Sequence, residues 1–373
     1  MKVDYESRVK KIAAYLKEKN IFAAVFEDSE EKRDVNIRYL TGMTSDSLLV
    51  VSCEGKTVLS PWDEILASKL AHASKIIPSN KFGRDSYKAL AEILKELDAP
   101  ENAVVELPSS TTYISFKKYE EAVPFCKLTV NENGVHSFVK DLRSVKDEYE
   151  IECTKKACAI TDEMTEEITR RLKNGTLSQE TEVALFAEKY LREQGAERTS
   201  FDTLAAGPAR SWAIHAFPGY TAGSWGTQGL SILDYGVCYN GYASDCTITV
   251  ARGPLLKEQE QLLDLVQKAA DECLKLYKPG LKIKDAALCA EKIFAEAGKK
   301  MPHSLGHGTG LEIHERPFVR TSAKDDAVFK AGNIITLEPG LYDERLGGTR
   351  LENDVLITPE GNTVLTASKI IRL

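Results

Sequence analysis

The stretch LSILDYGVCYNGYASDCTITVA, residues 230–251, decides how the chain is read. Its two halves, 232–239 and 242–250, are rich in β-branched and aromatic residues, and Asn240-Gly241 stands between them. Asn-Gly is the preferred two-residue type I′ turn, because both of its positions need positive φ. With that pair as the loop of a hairpin, Tyr239 lies opposite Tyr242 and Asp234 opposite Thr247. Asp245, two residues back on the second strand, becomes the diagonal neighbour of Asp234 on the same face, roughly 7–8 Å away at the backbone. A one-residue bulge would destroy that parity. Two carboxylates converging on one face repel, so a proton, an Arg or Lys, or cations must compensate, unless both are solvated residues of an open hairpin.

The chain around this hairpin has 373 residues, enough for two domains and a sizeable core. With 49 Lys and Arg against 56 Asp and Glu its net charge is −7, and no basic stripe points to nucleic acid or anionic lipid as a partner. Residues 1–20 place Val9, Ile12, Ala13 and Leu16 on one helical face and read as neither a signal peptide nor a membrane segment. The eight cysteines form no Cys-x-x-Cys pair and read as reduced thiols of a cytoplasmic protein. Cys246 adjoins Asp245, but strand alternation turns its sulfur to the opposite face, where it reads as core packing.

From the amino terminus to about residue 130, strand patterns at 22–27, 47–52, 56–60 and 104–107 alternate with helical ones at 62–72 and 86–97, which suggests a small α/β sheet domain. No glycine-rich phosphate loop follows any of these strands, so no nucleotide site is read there. Turn residues at 131–146 mark a linker, and His136 within it has generic neighbours and reads as structural. Residues 147–373 read as a second domain of α+β class: a long charged helix at 147–172, another at 178–194, a strand at 201–206, the hairpin, two amphipathic helices at 256–277 and 283–297, and strands at 334–342 and 349–358.

The polar residues of this second domain carry the chemistry. HSLGHGTGLEIH, 303–314, holds three of the six histidines of the chain, and Gly306, Gly308 and Gly310 around His307 let the backbone approach what that side chain binds. Glu338 stands in TLEPG, where Pro339 ends a ladder, and Glu352 in TRLEND, two residues after Arg350 on the same face. Singly, each Glu is an ordinary exposed strand residue. Together, one imidazole and four carboxylates amid apolar strands suit two hard or borderline divalent cations.

Asp234, Asp245, His307, Glu338 and Glu352, in the contexts LDYG, SDCT, GHGTGLEIHERP, TLEPG and RLEN, resemble the five ligands of the creatinase/prolidase/aminopeptidase P family of metallopeptidases. NIRYLTG, the LLVVS strand and LRSVKDEYEI extend the resemblance over nearly the whole chain. It implies a pita-bread catalytic domain preceded by a smaller creatinase-type α/β domain. It also implies two divalent ions per subunit, manganese first, with zinc, cobalt or iron as alternatives. Asp234 would bind one ion, Asp245 and Glu352 would bridge, and His307 and Glu338 would complete the other. Glu338 would also relay the proton of the attacking water, His215 would approach the substrate, His303 and His314 would steady the tetrahedral intermediate, and Arg350 would offset the carboxylate charge.

The implied reaction is hydrolysis of the Xaa-Pro imide bond at the amino terminus of dipeptides or short peptides, by a homodimer. Alternatives within the fold are a hydrolase or lyase of small non-peptide molecules, and a non-catalytic binding module, which would have lost ligands that are all present here. Three positions depart from the family pattern: Ile248 and Asn353 replace the usual arginine and aspartate beside the ligands, and Phe318 follows Pro317 where dipeptidases often hold the product carboxylate with an arginine. Arg316 and Arg320 are the remaining candidates for that contact.

Overall fold

The structure, a computed structural model, describes residues 3–373. The chain divides into two compact units, one ending at Leu142 and the other running Arg143–Leu373. The division falls inside the stretch read as a linker, most of which is a helix, Val135–Ser144.

The first unit is built on a six-stranded mixed sheet whose two central strands are Ser47–Ser52 and Ala23–Asp28. Their central residues, Ala23 to Phe26 and Leu48 to Val51, are apolar and buried on both faces, as strands covered on both sides require. NIRYLTG contributes a short helix, Val35–Thr41, which starts because the Asp34 carboxylate accepts the Asn36 N–H at 3.0 Å and stops at Gly42 with φ 79°. One helix, Tyr113–Ala122, has no counterpart among the sequence expectations; it buries little beyond Tyr119 and leaves Tyr113 and Ile114 exposed, so its periodicity is weak. His136 is buried with its ring 4.6 Å from that of Phe26, a packing role.

In the second unit the hairpin pairs in the expected register: Tyr239 faces Tyr242, and Thr247 faces Asp234. Asn240 and Gly241 both take positive φ, 48° and 87°. Leu233, Tyr235, Ile248 and Val250 point away from the aspartates and pack with Ile160, Met164 and Ile168 of the long helix Glu148–Lys173. That helix begins at a reciprocal cap, in which Asp147 and Glu150 each accept the other's backbone N–H at 3.0 Å. A second core joins the helices Lys257–Leu274 and Ile283–Glu296 to Ile335, Leu337, Val355 and Ile357. Helices lie outside and strands inside, as the α+β reading requires; the parallel pairing of Cys246–Arg252 with Ile370–Arg372 is an exception to its antiparallel strands.

A buried ion trio stiffens this unit beside the His307 segment. Arg143 and Lys146 both contact the Glu315 carboxylate, Lys146 Nζ at 3.2 Å, and all three side chains are at least 97 % buried by their exposures of 2 %, 1 % and 3 %. Burial alone would raise the Glu315 carboxyl, but Lys146 and Arg143 hold it down at about 2, from an ordinary 4.5. A folded-state value below the unfolded one means that the trio stabilises fully above pH 4.5, and that this contribution is lost as pH falls toward 2. Arg143→Met is expected to lower the unfolding free energy at pH 7 by about 3–5 kcal/mol, the cost of leaving a buried carboxylate short of a partner. The gap from the parent should narrow as pH falls below 4.5. Equal urea midpoints for the two proteins at pH 7 would exclude this role.

Candidate active site

Asp245, His307 and Glu352 come to a common point: one ligand atom from each lies within 4.8 Å of the others, and all three residues are buried. Glu338 adjoins them, its Oε1 3.5 Å from His307 Nε2, which is itself 3.6 Å from Asp245 Oδ2. Asp234 sits on the neighbouring strand, joined to Glu352 through Arg350, whose Nη2 lies 2.6 Å from Asp234 Oδ2 and whose Nε lies 3.9 Å from Glu352 Oε2.

Three of these acids sit where a ladder is interrupted. The second hairpin strand breaks at Ser244 and Asp245, because the Asp245 N–H donates to Asp354 Oδ2 at 2.7 Å and Ser244 Oγ accepts the Val237 N–H at 2.9 Å. The segments 334–342 and 349–358, expected as single strands, are each two strands, broken at Glu338-Pro339 and at Leu351-Glu352. Pro339 has no N–H for the ladder, and the Glu352 N–H turns to Thr247 O at 3.2 Å. A break frees a residue from strict alternation, so its carboxylate can turn into a shared space.

His307 lies on the short strand Gly306–Gly308, next to a register irregularity. Its Nδ1 is 3.1 Å from Gly308 O, which assigns the proton to Nδ1 and leaves the Nε2 lone pair facing the acids. The flanking glycines serve the strands rather than a ligand: a Cβ on Gly306 would lie 2.0 Å from Thr336 O, and one on Gly308 2.3 Å from Arg316 O. Burial and then His314 lower the His307 imidazole to about 4, so it is neutral, the form that offers a lone pair.

The other expected residues ring the same space. His303 Nδ1 is 3.7 Å from Glu338 Oε2, the His314 ring lies 4.3 Å from that of His307 and tilted 57° to it, and His215 lines the cavity from an exposed loop. Sequence reasoning missed Tyr342, whose hydroxyl accepts from Arg350 Nη1 at 2.7 Å and lies 3.1 Å from His303 Nε2. It also missed Thr247, which donates to Glu352 Oε2 at 2.6 Å, and Asp354. Period-two alternation from Glu352 was the available signal for Asp354. Ile248 lies in the core and Asn353 Oδ1 accepts from Ser368 N, so neither departure touches the acids. Phe318 does bear on the site, lining the cavity directly across the ladder from His307.

The arrangement asks for positive charge. Burial, then Glu352 and Asp234, push the Asp245 carboxyl well above its ordinary range. Burial, then Glu338 and Asp234, do the same to Glu352, and burial raises Glu338 to about 7 against the pull of Arg350. Asp234 Oδ1 is buried with no hydrogen-bond partner. An orphaned carboxylate oxygen beside acids that cannot all ionise is what a divalent-cation site presents before its ions bind. The cavity over these groups measures about 430 Å³, enough for a short peptide.

Residues 152–359 match the metallopeptidase family M24, and residues 8–145 match the creatinase/prolidase N-terminal domain. The chain belongs to metallopeptidase family M24. The Xaa-Pro dipeptidase of Pyrococcus horikoshii is 30 % identical over 371 residues, spanning 97 % of each protein. Among solved structures, a Xaa-Pro dipeptidase from Bacillus anthracis superposes with TM-score 0.86 at 26 % identity, covering 99 % of this chain and 100 % of that one. An X-Pro aminopeptidase from Thermotoga maritima superposes with TM-score 0.82 at 26 % identity, covering 95 % and 98 %. The M24 chain is thus a metallopeptidase with the creatinase-type amino-terminal domain and pita-bread catalytic domain of that family.

Metal dependence gives a test of the cluster that needs no substrate. Adding Mn²⁺ at about a hundredfold over its Kd to chelator-stripped protein should stabilise it by about 2.7 kcal/mol per ion bound. Asp245→Asn should lose most of that gain while folding normally without metal. An undiminished metal response in the variant would remove Asp245 from the site.

Proposed function

We propose that this chain is a dinuclear, metal-dependent peptidase of the cytoplasm that hydrolyses the Xaa-Pro imide bond at the amino terminus of short peptides. The observation that carries the reading is the convergence of Asp245, His307 and Glu352 on one point, with Asp234 and Glu338 at its flanks. Their donor set, four carboxylates and one neutral imidazole, fits two divalent cations, with manganese proposed first. Asp234 would hold one ion, His307 and Glu338 the other, and Asp245 and Glu352 both. When bound, such a pair lowers the pKa of water and polarises a carbonyl.

The remaining work falls to this chain's side chains. Glu338 would take the proton of the attacking water and return it to the departing proline nitrogen, which has no proton of its own. His314, beside His307, would donate a hydrogen bond to the carbonyl oxygen as it gains charge, and His303, beside Glu338 with its ring held between Ser304 O and the Tyr342 hydroxyl, would steady the intermediate from the other side. His215 would orient the peptide from the loop side. Arg350 would neutralise part of the acid cluster while Thr247 and Tyr342 fix its guanidinium. The active form is read as a homodimer; sedimentation showing monomer alone at micromolar concentration would refute that part.

One observation favours longer peptides over dipeptides. Among the described residues, Arg350 is the one Lys or Arg that lines the cavity, and it is committed to Asp234, Thr247 and Tyr342. A dipeptide's carboxylate lies next to the imide and would need a free cation on the cavity wall; Arg320, with its guanidinium carbon 5.6 Å from the centre of the Phe318 ring, does not line the cavity. The test is hydrolysis of Leu-Pro and Leu-Pro-Leu by stripped protein, with and without Mn²⁺, beside small non-peptide amides. Metal-restored cleavage with kcat/KM about tenfold or more higher for the tripeptide is expected. Metal binding without cleavage of either peptide would hand the site to a non-peptide substrate.

A further inference from the structure

The loop 207–223 carries His215 and has no regular secondary structure, yet a single buried carboxylate ties its two ends together. Glu180, at the start of the helix Glu180–Glu193, has a side chain 1 % exposed. Its Oε1 accepts the Gly207 N–H at 2.8 Å. Its Oε2 accepts the Thr221 N–H at 2.8 Å, the Thr221 hydroxyl at 2.6 Å, and Arg210 Nη1. Arg210 then reaches inward: its Nη2 donates to Ala216 O at 3.0 Å and to Pro218 O, the carbonyls on either side of Phe217. No candidate ligand takes part in this network.

Phe217 itself is 96 % exposed while lining the cavity mouth. A phenyl ring in water with its backbone fixed on both sides gains nothing for folding. It gains when an apolar group of the bound peptide covers it.

We propose that Glu180 and Arg210 are positioning residues that hold the loop 207–223 over the acid cluster, so that His215 and Phe217 face the substrate, and that Phe217 selects peptides with apolar side chains. The proposal rests on the peptidase reading above. Ordering the loop before substrate arrives removes that entropy from the binding step. Charge-assisted hydrogen bonds at a buried carboxylate are the strong means of doing so. Ser211 Oγ to Leu230 O at 2.7 Å and Arg350 Nη1 to Ile214 O at 3.2 Å anchor the segment before His215, and backbone bonds hold Gly219, Thr221 and Gly223 after it, so among these contacts the Arg210 bonds to Ala216 O and Pro218 O are the ones that fix the backbone around Phe217.

Arg210→Ala is the main variant, because Glu180 keeps three donors without Arg210 and the fold survives; Glu180→Gln is the second. Both are expected to lower kcat/KM for Leu-Pro-Leu by about a hundredfold, the scale of a displacement near 1 Å at a reacting group. Bound metal should stay at the parent's level in both, and in Glu180→Gln, whose single amide oxygen cannot accept both bonds, the Thr221 or Gly207 amide should lose hydrogen-exchange protection. Phe217→Ala should raise KM for Leu-Pro-Leu relative to Gly-Pro-Gly by about tenfold. Parental kcat/KM in both clamp variants, or parental exchange protection, would overturn the clamp, and an unchanged KM ratio would overturn the role of Phe217. If the parent cleaves no Xaa-Pro peptide, the peptidase reading fails, and parental protection of both the Thr221 and Gly207 amides in Glu180→Gln then refutes the clamp by itself.

Discussion

Mutual repulsion among buried carboxylates is the constraint on which the catalytic unit depends. Asp234, Asp245, Glu338 and Glu352 share a space with one guanidinium, that of Arg350, and burial and proximity raise Asp245, Glu338 and Glu352 above their ordinary range. Such a cluster works against folding unless the surrounding strands already hold it. The two apolar cores on either side supply that hold. Leu233 and Ile248 anchor the hairpin from one side, and Ile335 and Val355 anchor the two glutamate-bearing segments from the other. The acids lie between two cores that are indifferent to their charge, so ions can enter without rearranging either.

The same requirement explains the irregular backbone. A continuous ladder sends alternate side chains to opposite faces at fixed spacing, and cannot crowd several acids onto one point. Breaks at Asp245, Glu338 and Glu352 solve this, and the N–H group at each finds a defined partner: Asp354 Oδ2 for Asp245, Leu305 O for Glu338 and Thr247 O for Glu352. Asp354 lies two residues beyond Glu352, at the start of the strand that follows the break, so it couples two of the candidate ligands through one backbone hydrogen bond. The interruption is part of the site's rigidity.

This also marks what the sequence could reveal. The hairpin was legible because Asn240-Gly241 leaves one register open, and the structure has that register through Arg252. His307, Glu338 and Glu352 were legible as polar residues in apolar surroundings. The strand breaks were not, since the partners that cause them, Asp354 for Asp245 and Thr247 for Glu352, are distant in sequence. The glycines around His307 were legible as close-approach positions, but what approaches is the neighbouring strand, which only three-dimensional placement reveals. Tyr342, Glu180 and Arg210 carry no local signal, because an exposed surface pair and a buried network of the same residues look alike in a sequence.

The two sides of the cavity are held by different physics. The acid side is fixed by sheet and core, whose many small contacts make it stiff and leave no single residue decisive. The loop side has no regular ladder and little apolar burial, and its geometry concentrates in a few polar contacts, those of the Glu180 carboxylate and of the backbone at Gly219, Thr221 and Gly223. Chemistry that depends on cation geometry needs the first kind of support. A surface that admits peptides of differing side chains needs the second, because a few strong contacts can fix a backbone while leaving its side chains, Phe217 foremost, free to meet the substrate. Sequence change can therefore alter selectivity on the loop without disturbing the metal site, which explains how the acid pattern can stay complete while Phe318 and Phe217 give the mouth of the cavity an apolar character of its own.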